Sequence, residues 1–331
     1  MILELKSSIS ESLKQRLKSY YQAIELKSNG ICTLVTGNEF KELDPSFSEW
    51  VDRCVVTESD IQLASNTYCS LREVSLHEQV IVGDGKQMAL IAGPCSIESK
   101  EQILHSAKHL SRLGVRILRA GCYKPRTSPY SFQGMGKDGL KLLREAGDRY
   151  GMSIITEVRD ATHLDEVIEY ADIIQVGAKA MYDHGILRRC GTIKKPVLLK
   201  RSFGSTLQEF VQAAEFILCG GNPNVLLCER GIRTFETKTR FTLDLCGVAY
   251  LKQHISLPVI LDPSHAIGFS YGVTDLACAC TALGVDGLMI EVHPNPQKAK
   301  SDASQQIDFN TFTNLRNKVN TVAKAIGRKV I

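Results

Sequence analysis

The sequence predicts an α/β protein: a (β/α)8 TIM barrel preceded by a small N-terminal α+β module of ferredoxin-like order. Three observations predict it. From about residue 86, eight short runs rich in Val, Ile and Leu recur, each followed by a stretch of helical spacing. Continuous apolar strands alternating with amphipathic helices imply a parallel sheet buried on both faces, and eight such units imply closure. Residues 1 to about 75 differ in texture, with short elements in the order βαββαβ. Finally, 331 residues exceed one average domain and suit one large barrel with a small extra module.

In the module, "ILELK" reads as a strand, and "SISESLKQRLKSYY" as a helix opened by Ser caps, with Leu13, Leu17 and Tyr21 on one face. "AIELKSNGICTLVTG" reads as two strands about a turn at Asn29-Gly30, a strong hairpin signal. "DPSFSEWV" reads as a short helix and "CVVTES" as the last strand. With "SNTYCSLREVS" as connector, the module is expected to span 1–75 and the barrel 76–331. The barrel strands are expected at "MALIAG", "VRILRAG", "MSIITEV", "DIIQVG", "PVLLKR", "NVLLCER", "PVILDPSH" and "DGLMIEVH". A doubly wound open sheet is the alternative, but no G-x-G-x-x-G follows the first strand.

Composition narrows the class. An apolar content of 44% and a charged content of 23% are ordinary for a soluble globular protein. A net charge of +4, with no basic tract, gives no footprint for nucleic acid. No run reaches the roughly 18 apolar residues that a membrane helix needs, and "MILELKSSISES" lacks the pattern of a signal peptide. Eleven cysteines without framework spacing suit a reducing cytoplasm.

In such a barrel the active site lies at the carboxyl ends of the strands. Nearly every expected strand here ends in a chargeable residue, and two chemical subsets separate. Cys95, His265, Glu291 and Asp302 make a mixed S/N/O set suited to a borderline divalent metal. Taken singly, Cys95 reads equally well as a small buried apolar residue, His265 as a core histidine and Asp302 as a helical cap. Arg119, Lys124, Arg126, Lys179, Lys200 and Arg230 form a cationic subset that would repel itself without anions, so substrates carrying phosphate are expected. Glu157 closes the third strand among them.

"AGPCSIES", "KPRTSPYSFQG", "LLKR", "ERGIRTFE", "DPSHAIG" and "EVHPNP" resemble, in order, motifs of the type I 3-deoxy-D-arabino-heptulosonate 7-phosphate (DAHP) synthase family, in the branch related to KDO-8-phosphate synthase. The resemblance runs from about residue 76 to the C-terminus and implies condensation of phosphoenolpyruvate with erythrose 4-phosphate, the first step of the shikimate pathway. It implies one divalent ion (Mn2+, Fe2+, Co2+ or Zn2+) on Cys95, His265, Glu291 and Asp302, with Lys124, Cys95 and His265 the catalytic residues. Arg119, Lys200 and Arg230 match groups that hold phosphoenolpyruvate, and Lys124 matches a lysine reaching both substrates. Arg126 and Thr127 match the grip on the aldose phosphate, and Glu157 is placed to orient a water. The N-terminal module resembles a regulatory domain, which implies an aromatic amino acid effector, Phe or Tyr, and a homotetramer or homodimer is expected. The family pattern usually has Arg where Lys179 stands, and a lysine cannot make the planar two-bond fork. Two other readings stand beside this one: a KDO-8-phosphate synthase acting on arabinose 5-phosphate, and a weakened paralogue acting as a ligand-sensing or partner subunit.

Overall fold

The first fifty-five residues build a four-stranded antiparallel sheet. In chain order these are strand β1 (Ile2–Leu5), helix α1 (Glu11–Tyr20), strands β2 (Ile24–Ser28) and β3 (Ile31–Val35), a 3-10 helix (Pro45–Trp50) and strand β4 (Val51–Val55). The sheet order is β2-β3-β1-β4. The computed structural model describes residues 1–28, 30–124, 128 and 130–331. Asn29 of the expected turn, and Arg126 and Thr127 of the expected site, lie outside the described residues. Helix α1 begins where the Ser10 hydroxyl accepts the Leu13 N–H at 3.3 Å. The strand expected at "CVVTES" begins earlier, at Val51, because the 3-10 helix ends at Trp50 and the chain pairs at once with β1, Val51 opposite Leu5.

The two-residue period of β1 sorts its side chains between two cores. Met1, Leu3 and Leu5 join Leu17, Tyr21 and Phe47 beneath α1, whereas Ile2 joins Val35 and Val55 against the barrel.

A short hairpin follows, β5 (Val74–His77) with β6 (Val80–Val82), which sequence reasoning missed. The boundary expected between residues 75 and 76 falls inside it. Val74, Leu76, Val80 and Val82 pack onto the barrel's interior residues, so the hairpin belongs with the barrel.

The eight expected strand runs all form strands: β7 (Gln87–Gly93), β8 (Ile117–Arg119), β9 (Ser153–Val158), β10 (Ile173–Val176), β11 (Val197–Lys200), β12 (Val225–Glu229), β13 (Val259–Leu261) and β14 (Gly287–Glu291). All neighbours are parallel, and β14 pairs with β7 to close the barrel. Between and after them run α2 (Lys100–Arg112), α3 (Gly136–Tyr150), α4 (Leu164–Tyr170), α5 (His184–Gly191), α6 (Leu207–Cys219), α7 (Leu245–His254), α8 (Pro263–Ile267), α9 (Val273–Ala282) and α10 (Phe309–Ala325). A last strand, β15 (Lys329–Val330), pairs with the start of β7. No helix among the described residues is long and apolar enough to cross a membrane.

The continuous apolar runs follow from burial on both faces. Ala89, Ile91, Ile117, Ile155, Ile173, Leu198, Leu226, Cys228, Ile260 and Met289 fill the interior. Their neighbours Leu90, Leu118, Ile154, Ile174, Leu199, Leu227, Leu261 and Ile290 lie in the layer beneath the helices.

The segment joining the two parts is held by a buried carboxylate. Glu215, on α6, accepts the N–H groups of Gln62 (2.8 Å), Leu63 (3.2 Å) and Ala64 (2.8 Å). The Met1 ammonium donates to the Gln62 side chain at 2.6 Å, which ties the first residue to the same segment. Glu215→Gln would turn an amide NH2 toward backbone donors, and leaving buried donors unpaired costs about 1–3 kcal/mol. The variant is expected to unfold at lower urea and to be cut faster by protease within residues 58–72. Wild-type resistance in both measurements would show that Glu215 does not secure the segment.

Candidate active site

The interior register carries on past the apolar layers. One inward step beyond Ile117 stands Arg119. In the same way Glu157 follows Ile155, Lys200 follows Leu198, Arg230 follows Cys228, Asp262 follows Ile260 and Glu291 follows Met289. A period of two thus sets a charged layer directly on the hydrophobic one at the carboxyl end of the barrel. A cavity of about 260 Å3 opens above it, lined by Lys124, Glu157, Lys179, Lys200, Arg230, His265 and Asp302, with Phe203, Arg240 and Phe241 among the other residues of its wall.

At one side of this mouth Cys95, Glu291 and Asp302 place a ligand atom each within 4.8 Å of one another. His265 reaches the group through Nε2, 3.5 Å from Glu291 Oε1. Asp262 Oδ2 accepts from His265 Nδ1 at 2.7 Å and from Lys200 Nζ at 2.6 Å. Because Asp262 accepts, the ring proton is assigned to Nδ1 and the Nε2 lone pair faces the carboxylates. Burial lowers the His265 pKa further than its carboxylate neighbours raise it, so the imidazole is neutral near pH 7. A neutral imidazole, a thiol and two carboxylates fit a borderline divalent cation.

The other charges are tightly matched. Burial pushes the Cys95 thiol up to about 12, and Glu291 adds to the effect. Lys124 Nζ donates to Cys95 O and to Cys95 Sγ, each at 3.1 Å. Burial works against the Lys124 charge, but Cys95 and Glu157 outweigh it and raise its pKa. Burial resists the Asp302 charge, but His265, once protonated at low pH, and Lys124 hold its pKa well below the carboxylate range. Asp302 sits at φ +46°, a left-handed backbone that Asp tolerates better than most residues. Arg119 lies below the cavity wall, its Nη1 donating to Pro94 O and Glu291 Oε1, both at 2.8 Å. Lys179 is exposed on the wall.

Several contributors escaped sequence reasoning. Asp262 lies in the expected strand run "PVILDPSH", but its bridging of Lys200 and His265 is visible only in three dimensions. Gln305 Nε2 donates to Glu291 Oε2 at 2.6 Å, and Gln306 Oε1 accepts the Cys95 N–H at 2.9 Å. Arg240 Nη1 donates to Gln305 Oε1 at 2.7 Å and lies 3.5 Å from Asp302 Oδ1. The glutamines carry no charge, and no sequence signal marked them.

Comparison with known proteins bears on this arrangement. The model of the DAHP synthetase I family matches residues 65–328. Phospho-2-dehydro-3-deoxyheptonate aldolase of Thermotoga maritima is 49% identical over 251 residues, covering 76% of this chain and 74% of that protein. 2-Dehydro-3-deoxyphosphooctonate aldolase of Magnetococcus marinus is 32% identical over 248 residues, covering 70% and 85%. The crystal structure of the Thermotoga maritima DAHP synthase superposes with a TM-score of 0.81 at 40% identity, over 100% of this chain and 99% of that one. A truncated form of 3-deoxy-D-arabino-heptulosonate 7-phosphate synthase from the same organism covers 81% of this chain and 98% of its own, with a TM-score of 0.76 at 42% identity.

Asp262 is expected to dominate the stability of the charged layer. Asp262→Ala leaves the Lys200 ammonium buried and unpaired, and breaking such a pair costs about 3–5 kcal/mol. Joint replacement, Asp262→Leu with Lys200→Met, should recover most of that loss. Denaturant unfolding at neutral pH reads both, and a single variant as stable as wild type would contradict the assignment.

Proposed function

The chain belongs to the DAHP synthetase I family and condenses phosphoenolpyruvate with erythrose 4-phosphate to give 3-deoxy-D-arabino-heptulosonate 7-phosphate and phosphate; we propose that it does so with a divalent metal at the barrel mouth. The observation that carries this reading is the joint placement of a thiol, an imidazole and two carboxylates beside a cavity walled by cations. The octonate aldolases of the arabinose 5-phosphate reading match at 30–33% identity, against 49% for the heptonate aldolase.

A divalent ion held by Cys95, His265, Glu291 and Asp302 would supply a Lewis acid for the aldehyde oxygen of erythrose 4-phosphate. The residues of the chain do the rest. Lys200 and Arg230 hold phosphoenolpyruvate by its phosphate and carboxylate, and Lys179 meets the same anion as a point charge. Arg119 fixes Glu291 from below and completes the positive potential of the floor. Carbon 3 of the enolpyruvate attacks the aldehyde carbon, and Lys124, kept charged by its neighbours, donates to the oxygen that becomes a hydroxyl. Water, oriented by the Glu157 carboxylate, adds at carbon 2; one of its protons restores Lys124, and the other leaves with the phosphate as the bond from carbon 2 to the phosphate oxygen breaks and carbon 2 becomes the ketone. Arg126 and Thr127 take the aldose phosphate. Eleven cysteines without a disulfide support a reducing, cytoplasmic setting.

Loss of phosphoenolpyruvate on mixing with each aldose phosphate tests the reaction. Turnover is expected with erythrose 4-phosphate and not with arabinose 5-phosphate, and a chelator should abolish it. Cys95→Ser replaces a thiolate ligand with a hydroxyl and is expected to lower the bound metal measured by elemental analysis. Full turnover by demetallated enzyme would overturn the metal reading.

The antiparallel sheet at the N-terminus has its own core beneath α1 and no part in the charged layer, which supports a separate regulatory task for residues 1 to about 75. We read its effector as phenylalanine or tyrosine. An effector inhibits only if it favours one arrangement of module and barrel over another. A chain starting at Glu73 keeps the β5–β6 hairpin and is expected to turn over without responding to either amino acid. A truncated chain that still responds would place the effector elsewhere, and an insensitive full-length enzyme would remove this regulation altogether.

A further inference from the structure

Arg230 differs from every other cation on the cavity wall in how it is held. It is 5% exposed, and among the described residues it has no hydrogen bond or ion pair. Its Nη1 is buried without a partner. Lys124, Lys179 and Lys200 present point charges, and Arg240, the other guanidinium of the wall, is engaged by Gln305 and Asp302. Among the described residues of the wall, two-pronged recognition of a phosphate or carboxylate therefore falls to Arg230.

A guanidinium donates only in its plane, so its faces are free to stack. The Phe241 ring covers one face, 4.2 Å from centroid to guanidinium carbon. The backbone holds that ring from three sides. Gly231, at φ +96°, makes room for it: a Cβ there would lie 2.7 Å from Phe241 Cβ. Ile232 and Thr242 exchange two N–H···O bonds of 2.9 Å, which fold the loop after β12 back on itself. The Phe241 N–H donates to Ala266 O at 2.8 Å, one residue past His265. Phe203 stacks on Phe241 at 5.5 Å, and its own carbonyl accepts the Arg233 N–H at 2.7 Å.

We propose that Phe241, backed by Phe203, is a positioning residue for phosphoenolpyruvate: it fixes the plane of the Arg230 guanidinium so that both donor prongs meet the anion. This rests on the reading that Arg230 holds phosphoenolpyruvate.

The test is phosphoenolpyruvate binding by equilibrium dialysis, with steady-state kinetics on the same metal-loaded proteins. Phe241→Leu is expected to weaken binding and raise the KM for phosphoenolpyruvate about tenfold, a change of about 1.4 kcal/mol, with kcat and the KM for erythrose 4-phosphate within about twofold. Phe241→Tyr keeps the ring and should bind as wild type. In an Arg230→Lys background, Phe241→Leu should cost almost nothing further, because the two residues act as a unit. The proposal is overturned by a Leu variant that binds as wild type, by a Tyr variant as weak as the Leu variant, or by the same loss in both backgrounds. Wild-type enzyme that binds phosphoenolpyruvate without turning it over would overturn the proposed reaction alone, since the dialysis still judges Phe241. Wild-type enzyme that does not bind it would overturn both.

Discussion

In a closed parallel barrel each strand residue faces either the interior or the surrounding helices, and the choice alternates strictly along the chain. Everything at the mouth depends on that alternation. Because Ile117, Ile155, Leu198, Ile260 and Met289 must face inward to fill the barrel, Arg119, Glu157, Lys200, Asp262 and Glu291 must face inward too. Closure through β14 and β7 leaves no edge at which a strand could slip to another register. The hydrophobic layer thus aims the charged layer, and a site assembled from many different strands needs no long-range information beyond the packing of its floor.

Burying so many charges is tolerable only because they neutralise one another in small groups. Arg119 answers Glu291, and Lys200 with the Asp262-oriented His265 forms a second group. Away from the cavity, Arg201 answers Glu229 and Asp244 in the same way, each at 2.9 Å. These pairs divide the cations by task. Arg119 and Arg201, fully matched in charge, build the site; Lys200 faces the cavity while paired to Asp262, and Arg230 and Lys179 meet an anion from solution.

The barrel was legible because its strands are buried on both faces and therefore announce themselves as unbroken apolar runs. Cys95 and Glu291 could be picked out because each is a chargeable or soft side chain at or just beyond a strand end, and Asp302, farther along the loop after β14, because the family resemblance marks it. What stayed hidden was of three kinds. The β5–β6 hairpin is short and its alternation resembles a connector. Gln305 and Gln306 act through neutral amides, which no charge pattern reveals. The stacking of Arg230, Phe241 and Phe203 joins two loops distant in sequence, and an aromatic residue in a loop carries no mark of what it will cover. The position of Arg119 was legible, but its downward bond to Glu291 was not, since composition fixes a residue's chemistry and not its direction.

The filled interior beneath the charged layer has a kinetic consequence. Side chains fill the barrel from wall to wall, so nothing passes through it and the site is reached only from the mouth. Two reactants must pass through the same neck by which two products leave, so traffic at the mouth is obligatorily shared. Whatever lies deepest must arrive first and depart last, and a crowded neck delays every occupant beneath it. The order of loading and unloading is in this sense written into the packed layer on which the charged residues stand.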